Sequence, residues 1–290
     1  MAASISTNTA ELLARCHFPE AGTTVTCAVS GGADSLALLV LACAAGLDVT
    51  AVHVDHGLRP GSAAEAGVVE ATSTRFGARF RAERVDVGDG PNLEARARAA
   101  RYAVLPADVL TGHTADDQAE TVLVNLLRGA GIDGLAGMRH DGRRPLLALR
   151  RRETAALCEA LGLQTVSDPS NADPRFVRNR IRHELLPLME DIAGRDLVPL
   201  LARQAQLLRD EADLLDELAG KIDPHDAGAL RDAPEPLARR AVRALLRGEH
   251  PPTAAEVDRV LDVARLEATA CEVEGGRRVA RSRGRLTITE

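Results

Sequence analysis

A chain of 290 residues, 45% of them hydrophobic, is long enough for a well-buried core and about two domains, and its composition excludes wholesale disorder. No apolar run reaches the ~18 residues of a membrane helix, and the N-terminus lacks the basic start and apolar stretch of a secretory signal, so a cytoplasmic protein with no membrane role is expected. The five scattered cysteines form no C-x-x-C, which argues for reduced core residues rather than disulfides or zinc, and a net charge of −6 does not mark the whole chain as a nucleic-acid binder.

Residues 10–17 read as a short helix, and the β-branched apolar run 24–29 suits a strand buried on both faces. A Gly-rich turn at 30–35 leads into an apolar helix, 36–45, that stops at Gly46. A second strand, 48–54, precedes a helix over 61–76 and a strand near 80–87. An Ala/Arg-rich helix over 92–105, a short strand at 109–112 and a long amphipathic helix over 114–128 follow. This alternation predicts an α/β fold, a doubly wound parallel sheet of Rossmann-like type, with ligands beyond the carboxyl ends of the strands. After Gly142 the pattern changes to a helix over 153–161, a polar segment over 167–174 and a helical stretch over 184–218. Two short helices, 236–246 and 253–266, lead to a hairpin turning at Gly275-Gly276 and again near Gly284. The expected division is a catalytic domain at 1–195 and a smaller, mainly helical domain at 196–290.

Four motifs lie where chemistry is expected. In the first (Ser30, Gly31, Gly32, Ala33, Asp34, Ser35), glycines after a strand let backbone N–H groups converge on an anion at a helix N-terminus. The hydroxyls of Ser30 and Ser35 add donors, Asp34 suits a magnesium ion, and the loop lacks the G-K-[ST] ending of a Walker A motif. The second runs from His53 through Asp55, His56 and Gly57 to Leu58 and Arg59. It has no further ligand at metal spacing, so His56 is placed beside the adenine or ribose of a nucleotide. In the third, Thr114 and Asp117 fit a capping box, yet Asp116, Asp117 and Glu120 supply more carboxylates than a cap uses. Asp116 and Glu120 share a helix face and favour a cationic partner, either magnesium or an ammonium substrate. The fourth, Asp168-Pro169-Ser170-Asn171 followed by Arg175, Arg178, Arg180 and Arg182, reads by itself as a helix entry with a solvated face. Residues 139–182 nevertheless hold ten arginines against five acids, a balance that suits phosphates, and with one tyrosine and no tryptophan RNA contact would rest on arginine and backbone.

Taken together, residues 30–35, 53–59, 92–102, 112–138, 144–147 and 168–187 resemble the tRNA(Ile)-lysidine synthetase family of PP-loop ATPases, over roughly residues 24–190. The hairpin at 275–285 resembles that family's first C-terminal domain. The resemblance implies that ATP adenylates the C2 oxygen of the wobble cytidine in tRNA(Ile) with a CAU anticodon, releasing pyrophosphate. Free L-lysine then displaces AMP to give lysidine. It also implies ATP and Mg2+ at Asp34, a lysine and catalytic site of His113, Asp116, Asp117 and Glu120, and phosphate contacts from Arg98 and Arg101. Two departures stand out: the helix after residue 92 should end early, at Pro106, and the chain lacks room for a second C-terminal domain, which leaves tRNA selection unassigned. Members are often dimeric, and the leucines over 200–218 fit either a homodimer face or an internal core stripe. The alternatives are a PP-loop tRNA thiolase, which needs the paired cysteines this chain lacks, a glutamine-dependent synthetase of the same fold, and a non-catalytic nucleotide-binding protein, which would have no use for the acids at 116–120.

Overall fold

Strand β1 (Thr24–Ala28) pairs in parallel with β2 (Asp48–Asp55), from Thr24 opposite Asp48 to Ala28 opposite Val52. On its far side β2 pairs in parallel with β3 (Arg79–Arg84), from Thr50 opposite Arg79 to Asp55 opposite Arg84. This computed structural model describes residues 7–57, 62–88, 90, 93–167, 173–248 and 251–289. Leu58, Arg59, Asn92 and the 168–171 turn therefore lie outside the described residues. The chain divides into two compact units, Met1–Gln206 and Leu207–Glu290.

In the first unit, α1 (Thr7–Leu13) precedes β1, and α2 (Ala33–Ala44) follows the Gly-rich turn. Every residue of α2 from Ser35 to Ala42 is buried, as its almost unbroken apolar sequence requires. Leu36, Leu38, Leu39 and Leu41 join Cys27, Val49, Ala51 and Leu110 in the main core. Helices α3 (Ser62–Phe76) and α4 (Leu93–Val104) flank β3 in sequence. Helix α4 ends two residues before Pro106, in keeping with the early stop expected there.

The strand expected at 109–112 forms a single parallel bridge, Cys27 with Leu110. Leu110 N–H donates to Thr26 O at 2.8 Å, and Ala28 N–H donates to Leu110 O at 2.9 Å. Lateral order is therefore Leu110, β1, β2, β3, and the chain reverses direction across the sheet at β1. In a doubly wound sheet that reversal opens a crevice beyond the strand ends. The turn after Ala28 and the motif after Thr111 meet there.

Helix α5 (Ala115–Leu127) carries the acidic motif, and α6 (Ile132–Leu135) folds back against it. Gln118 donates to Met138 O at 3.0 Å and accepts from Met138 N–H at 2.8 Å, while Asn125 donates to Gly134 O at 2.8 Å. The glycine-rich run after α5 thus has a structural task. Leu146, Leu147 and Leu149 are buried, and Leu149 O accepts from Ala115 N–H at 2.8 Å. That bond sets the start of α7 (Arg151–Ala160) against the start of α5. The chain continues through α8 (Val177–Arg180), a π-helical turn (Ile181–Leu185) and α9 (Leu186–Ala193), which Gly194 closes in the left-handed conformation.

Helix α10 (Val198–Ala219) contributes to both units. Its small residues Val198, Ala205, Ala212 and Ala219 are buried, while Leu200, Leu207, Leu214 and Leu218 are exposed. The second unit contains α11 (Ala227–Asp232), α12 (Glu235–Leu246), α13 (Ala254–Ala264) and a sheet of β4 (Ala270–Glu272), β5 (Arg278–Ser282) and β6 (Arg285–Thr289). The two expected turns join three antiparallel strands in the order β4-β5-β6. No helix among the described residues is long and apolar enough to cross a membrane.

Candidate active site

The turn after β1 is held by its own serines. Ser30 N–H donates to Ser35 Oγ at 3.1 Å, the two hydroxyls lie 3.2 Å apart, and Ser35 Oγ–H donates to Gly32 O at 2.9 Å. Gly31 has φ +88°, and a Cβ there would lie 2.9 Å from Val166 Cγ2. Gly112 has a different constraint: its Cβ would fall 2.6 Å from Asp34 O, so the motif after Thr111 packs backbone to backbone on the first turn of α2. Gly32 occupies the N-cap of α2 with no side-chain cap bond. A helix start of this kind favours an anion.

Beside this turn is a cleft of about 550 Å³. One wall is Ser30, Gly32, Ala33, Asp34 and Ser35; another is Arg98, Arg101 and Tyr102; Gly112, His113, Asp117, Arg151 and Arg182 also line it, with the hydroxyl residues Thr111, Thr165 and Ser167. Ala28, Val52, Val54 and Leu105 supply an apolar floor. Arg98 stacks over the Tyr102 ring at 4.9 Å.

Asp34 accepts a hydrogen bond from Thr154 Oγ1, and Arg151 Nε lies 3.5 Å from its other oxygen. Burial pushes its carboxyl up to about 6, against the Thr154 bond and with help from the Asp117 charge. His113 Nδ1 lies 2.8 Å from Thr111 Oγ1. Burial lowers its imidazole to about 4; Asp117 opposes this, and Arg144, Arg178 and Arg98 add to it. His113 is therefore neutral at pH 7.

The acids of α5 are not free carboxylates. Asp117 Oδ2 accepts from Thr114 N–H at 2.8 Å and Thr114 Oγ1–H at 3.0 Å, which realises the capping role. Its Oδ1 accepts from Arg151 Nη2 at 3.0 Å and Arg178 Nη2 at 3.1 Å. Burial works to raise the Asp117 carboxyl, but Arg151, Arg178, His113 and the Thr114 N–H hold it below the ordinary range. Asp116 accepts from Arg150 Nε at 3.1 Å and Arg151 N–H at 2.8 Å. Glu120, only 1% exposed, accepts from Arg151, Arg178 and Arg182. Asp116 and Glu120 do not line the cleft, so the open acidic face expected from their spacing is absent.

His56 does not line it either. Arg101 Nε and Nη2 lie 3.4 and 3.3 Å from His56 Nε2, which places the imidazole proton on Nδ1; that atom is buried without a hydrogen-bond partner among the described residues. Burial, then the Arg101 charge, lowers its pKa. His53 Nδ1–H donates to Val29 O at 3.0 Å, a structural bond between neighbouring strands. Among the described residues no three His, Cys, Asp or Glu side chains converge as a metal cluster.

The family sequence model described as the PP-loop domain matches residues 1–189. The chain is 44% identical to the tRNA(Ile)-lysidine synthase of Nocardia farcinica, over 94% of this chain and 93% of that one. It is 48% identical to the synthase of Mycolicibacterium paratuberculosis, over 76% and 73%. The chain belongs to the tRNA(Ile)-lysidine synthase family of PP-loop proteins. Among solved structures, the U34-tRNA thiolase NcsA of Methanococcus maripaludis, with its [4Fe-4S] cluster, is similar at a TM-score of 0.55 and 16% identity, covering 70% of this chain and 78% of that one. A likeness that remote speaks for the shared fold alone.

For a member of this family, the structure adds residues that sequence reasoning passes over. Arg151 and Arg182 line the cleft, Arg178 and Arg150 hold the acids of α5, and Thr154 holds Asp34. Arg178 and Arg182 read in sequence as a solvated face. The available signal is the excess of arginine over acid in 139–182, which the acids of α5 partly balance.

Proposed function

We propose that the chain ligates lysine to C2 of the wobble cytidine of tRNA(Ile) with a CAU anticodon, consuming ATP. The observation that carries this reading is the near full-length match to the Nocardia farcinica synthase, 44% identical over 94% of this chain. In the first step the cytidine C2 oxygen attacks the α-phosphorus of ATP, the bond to the β-phosphate breaks, and pyrophosphate leaves. In the second, the lysine ε-amine attacks C2, the C2–O bond breaks, AMP leaves with that oxygen, and the amine gives up a proton.

The Ser30–Ser35 turn receives the pyrophosphate at the start of α2, where Gly31 and Gly32 let the main chain approach it. The apolar floor of Ala28, Val52, Val54 and Leu105 takes the adenine, and His56 supports that end of the site from behind through Arg101, which lines the cleft. Arg98 and Arg101 steady a phosphate. Magnesium suits Asp34, because this cation typically uses one or two carboxylates with substrate phosphates as its other ligands. A carboxyl held near 6 by burial would ionise more readily beside a cation, which fits it for that role. The ion would offset negative charge on the leaving pyrophosphate.

Lysine's ammonium, with a free pKa of about 10.4, must lose a proton before it attacks. His113 is neutral and open to the cleft as the acceptor, and bound phosphates would raise its basicity. Asp117 faces the same space with its acceptor positions taken by Thr114, Arg151 and Arg178, so it belongs to the site, like Asp116 and Glu120, through the groups it holds. We place this chemistry in residues 1–195, in a cytoplasmic enzyme. Leu200, Leu207 and Leu214 offer an apolar face for a homodimer, which sedimentation velocity would rule out by giving a monomer at assay concentration.

The decisive assay combines ATP, Mg2+, lysine and the cognate tRNA, with each omitted in turn. AMP release and lysine incorporation should require all four. Absence of both products from the complete mixture would overturn the reading.

A further inference from the structure

Three guanidiniums converge on the Glu120 carboxylate from distant points of the chain. Arg151 Nη1 donates to Oε1 at 3.0 Å and Arg178 Nε to Oε2 at 2.8 Å. Arg182 takes both oxygens, Nε to Oε1 at 2.7 Å and Nη2 to Oε2 at 3.0 Å. A carboxylate offers about four acceptor sites, so Glu120 has no room for an ammonium unless an arginine leaves. Removing an arginine from so buried an anion would be costly.

The arginines themselves are not saturated. Arg182 spends its Nε and Nη2 on Glu120 and has no acceptor at Nη1 among the described residues, yet the residue lines the cleft. Arg151, also in the lining, reaches Glu120, Asp117 and, at 3.5 Å, Asp34 of the Gly-rich turn. Rigid guanidiniums with donor edges to spare beside a phosphate-type turn match a polyphosphate, which accepts several parallel N–H bonds.

We propose that Glu120 is a positioning residue that fixes Arg151 and Arg182 as the cationic wall for the polyphosphate of ATP, and that it does not bind lysine. This rests on the assignment of the Ser30–Ser35 turn to pyrophosphate. The test measures binding of inorganic pyrophosphate with Mg2+ to the full chain by calorimetry, and separately the KM for lysine in AMP release. Glu120→Gln and Arg182→Gln should each weaken pyrophosphate by at least about tenfold, the loss expected for a charged hydrogen bond. The lysine KM should stay within about twofold. Arg175→Gln, an exposed arginine paired with Asp173, is the control and should bind pyrophosphate as wild type does.

If Glu120→Gln does not fold, Arg182→Gln decides, since that side chain is partly exposed. Wild-type pyrophosphate affinity in Arg182→Gln, or a lysine KM in Glu120→Gln that rises as much as pyrophosphate binding falls, overturns the proposal. So does a wild-type chain that does not bind pyrophosphate. The calorimetry needs neither tRNA nor turnover, so failure of the ligase reading would be seen separately.

Discussion

Replacing Gly112 with alanine puts one methyl group where the end of the sheet meets the start of α2. That methyl would lie 2.6 Å from Asp34 O, 2.8 Å from Asp34 C and 3.1 Å from Ser35 N, whereas ordinary contact starts at 3.4 Å. Every neighbour is backbone, so no rotamer change relieves the clash, and one segment must retreat by about 0.8 Å. Forcing extra volume into a packed site costs ~1–3 kcal/mol. For a unit of this size that is roughly 2–4 °C of Tm for each kcal/mol.

Function should suffer more than stability. The displaced atoms belong to Asp34 and Ser35, and a misplacement of ~1 Å at a reacting centre costs on the order of 100-fold in rate. Calorimetric Tm and ATP-dependent pyrophosphate release, measured on the same preparation, separate the two effects. Gly67→Ala provides the contrast: that glycine sits inside α3, where an added methyl would meet nothing within 4 Å, and the change should stabilise by ~0.5–1 kcal/mol. Wild-type pyrophosphate release by Gly112→Ala, at an unchanged Tm, would refute the close-approach argument.

Thr154→Val removes the hydroxyl that favours ionised Asp34, so the Asp34 carboxyl should rise further above 6 and the acid limb of the pH–rate profile should move to higher pH; an unmoved limb would dissociate Asp34 from catalysis. Asp34 and His113 also have opposite effects on folding. The Asp34 contribution is present below the ordinary carboxylate range and is lost as pH rises through about 6. The His113 contribution is present above 6.5 and is lost as pH falls through about 4. Their slopes oppose each other between pH 4 and 6, so the stability of Asp34→Asn relative to wild type should rise with pH by about 1 kcal/mol per unit there; urea melts showing a pH-independent difference would contradict the burial of Asp34.

What can be read from the sequence is mostly local. Strands β1 and β2 follow from short runs of β-branched and apolar residues, the apolar α2 from an almost unbroken hydrophobic run, and the Thr114–Asp117 cap from a spacing of three residues. A similar apolar run predicts the 109–112 strand, but only Leu110 pairs, because the chain leaves the sheet at Gly112 to meet α2. Helix α10 departs from its pattern in a different way. Its leucines have core-like spacing, yet Ala205, Ala212 and Ala219 are the buried residues, and small side chains carry little weight in a hydrophobic pattern. The ion pairs are the least legible: Glu120 and Arg182 are 62 residues apart, and no local periodicity connects them.

Those pairs change the electrostatic meaning of the acidic motif. Read alone, three carboxylates within five residues describe a receptor for a cation. In the fold, Asp116, Asp117 and Glu120 are each covered by guanidinium groups, and only Asp117 also borders the cleft. A buried carboxylate is unfavourable unless paired, and once paired it holds its arginines in one place. The acids therefore present a cationic surface to the cleft through Arg151 and Arg182. A chain with a net charge of −6 can in this way offer a polyanion an arginine wall beside a helix start, and the same negative residues are what hold the wall in position.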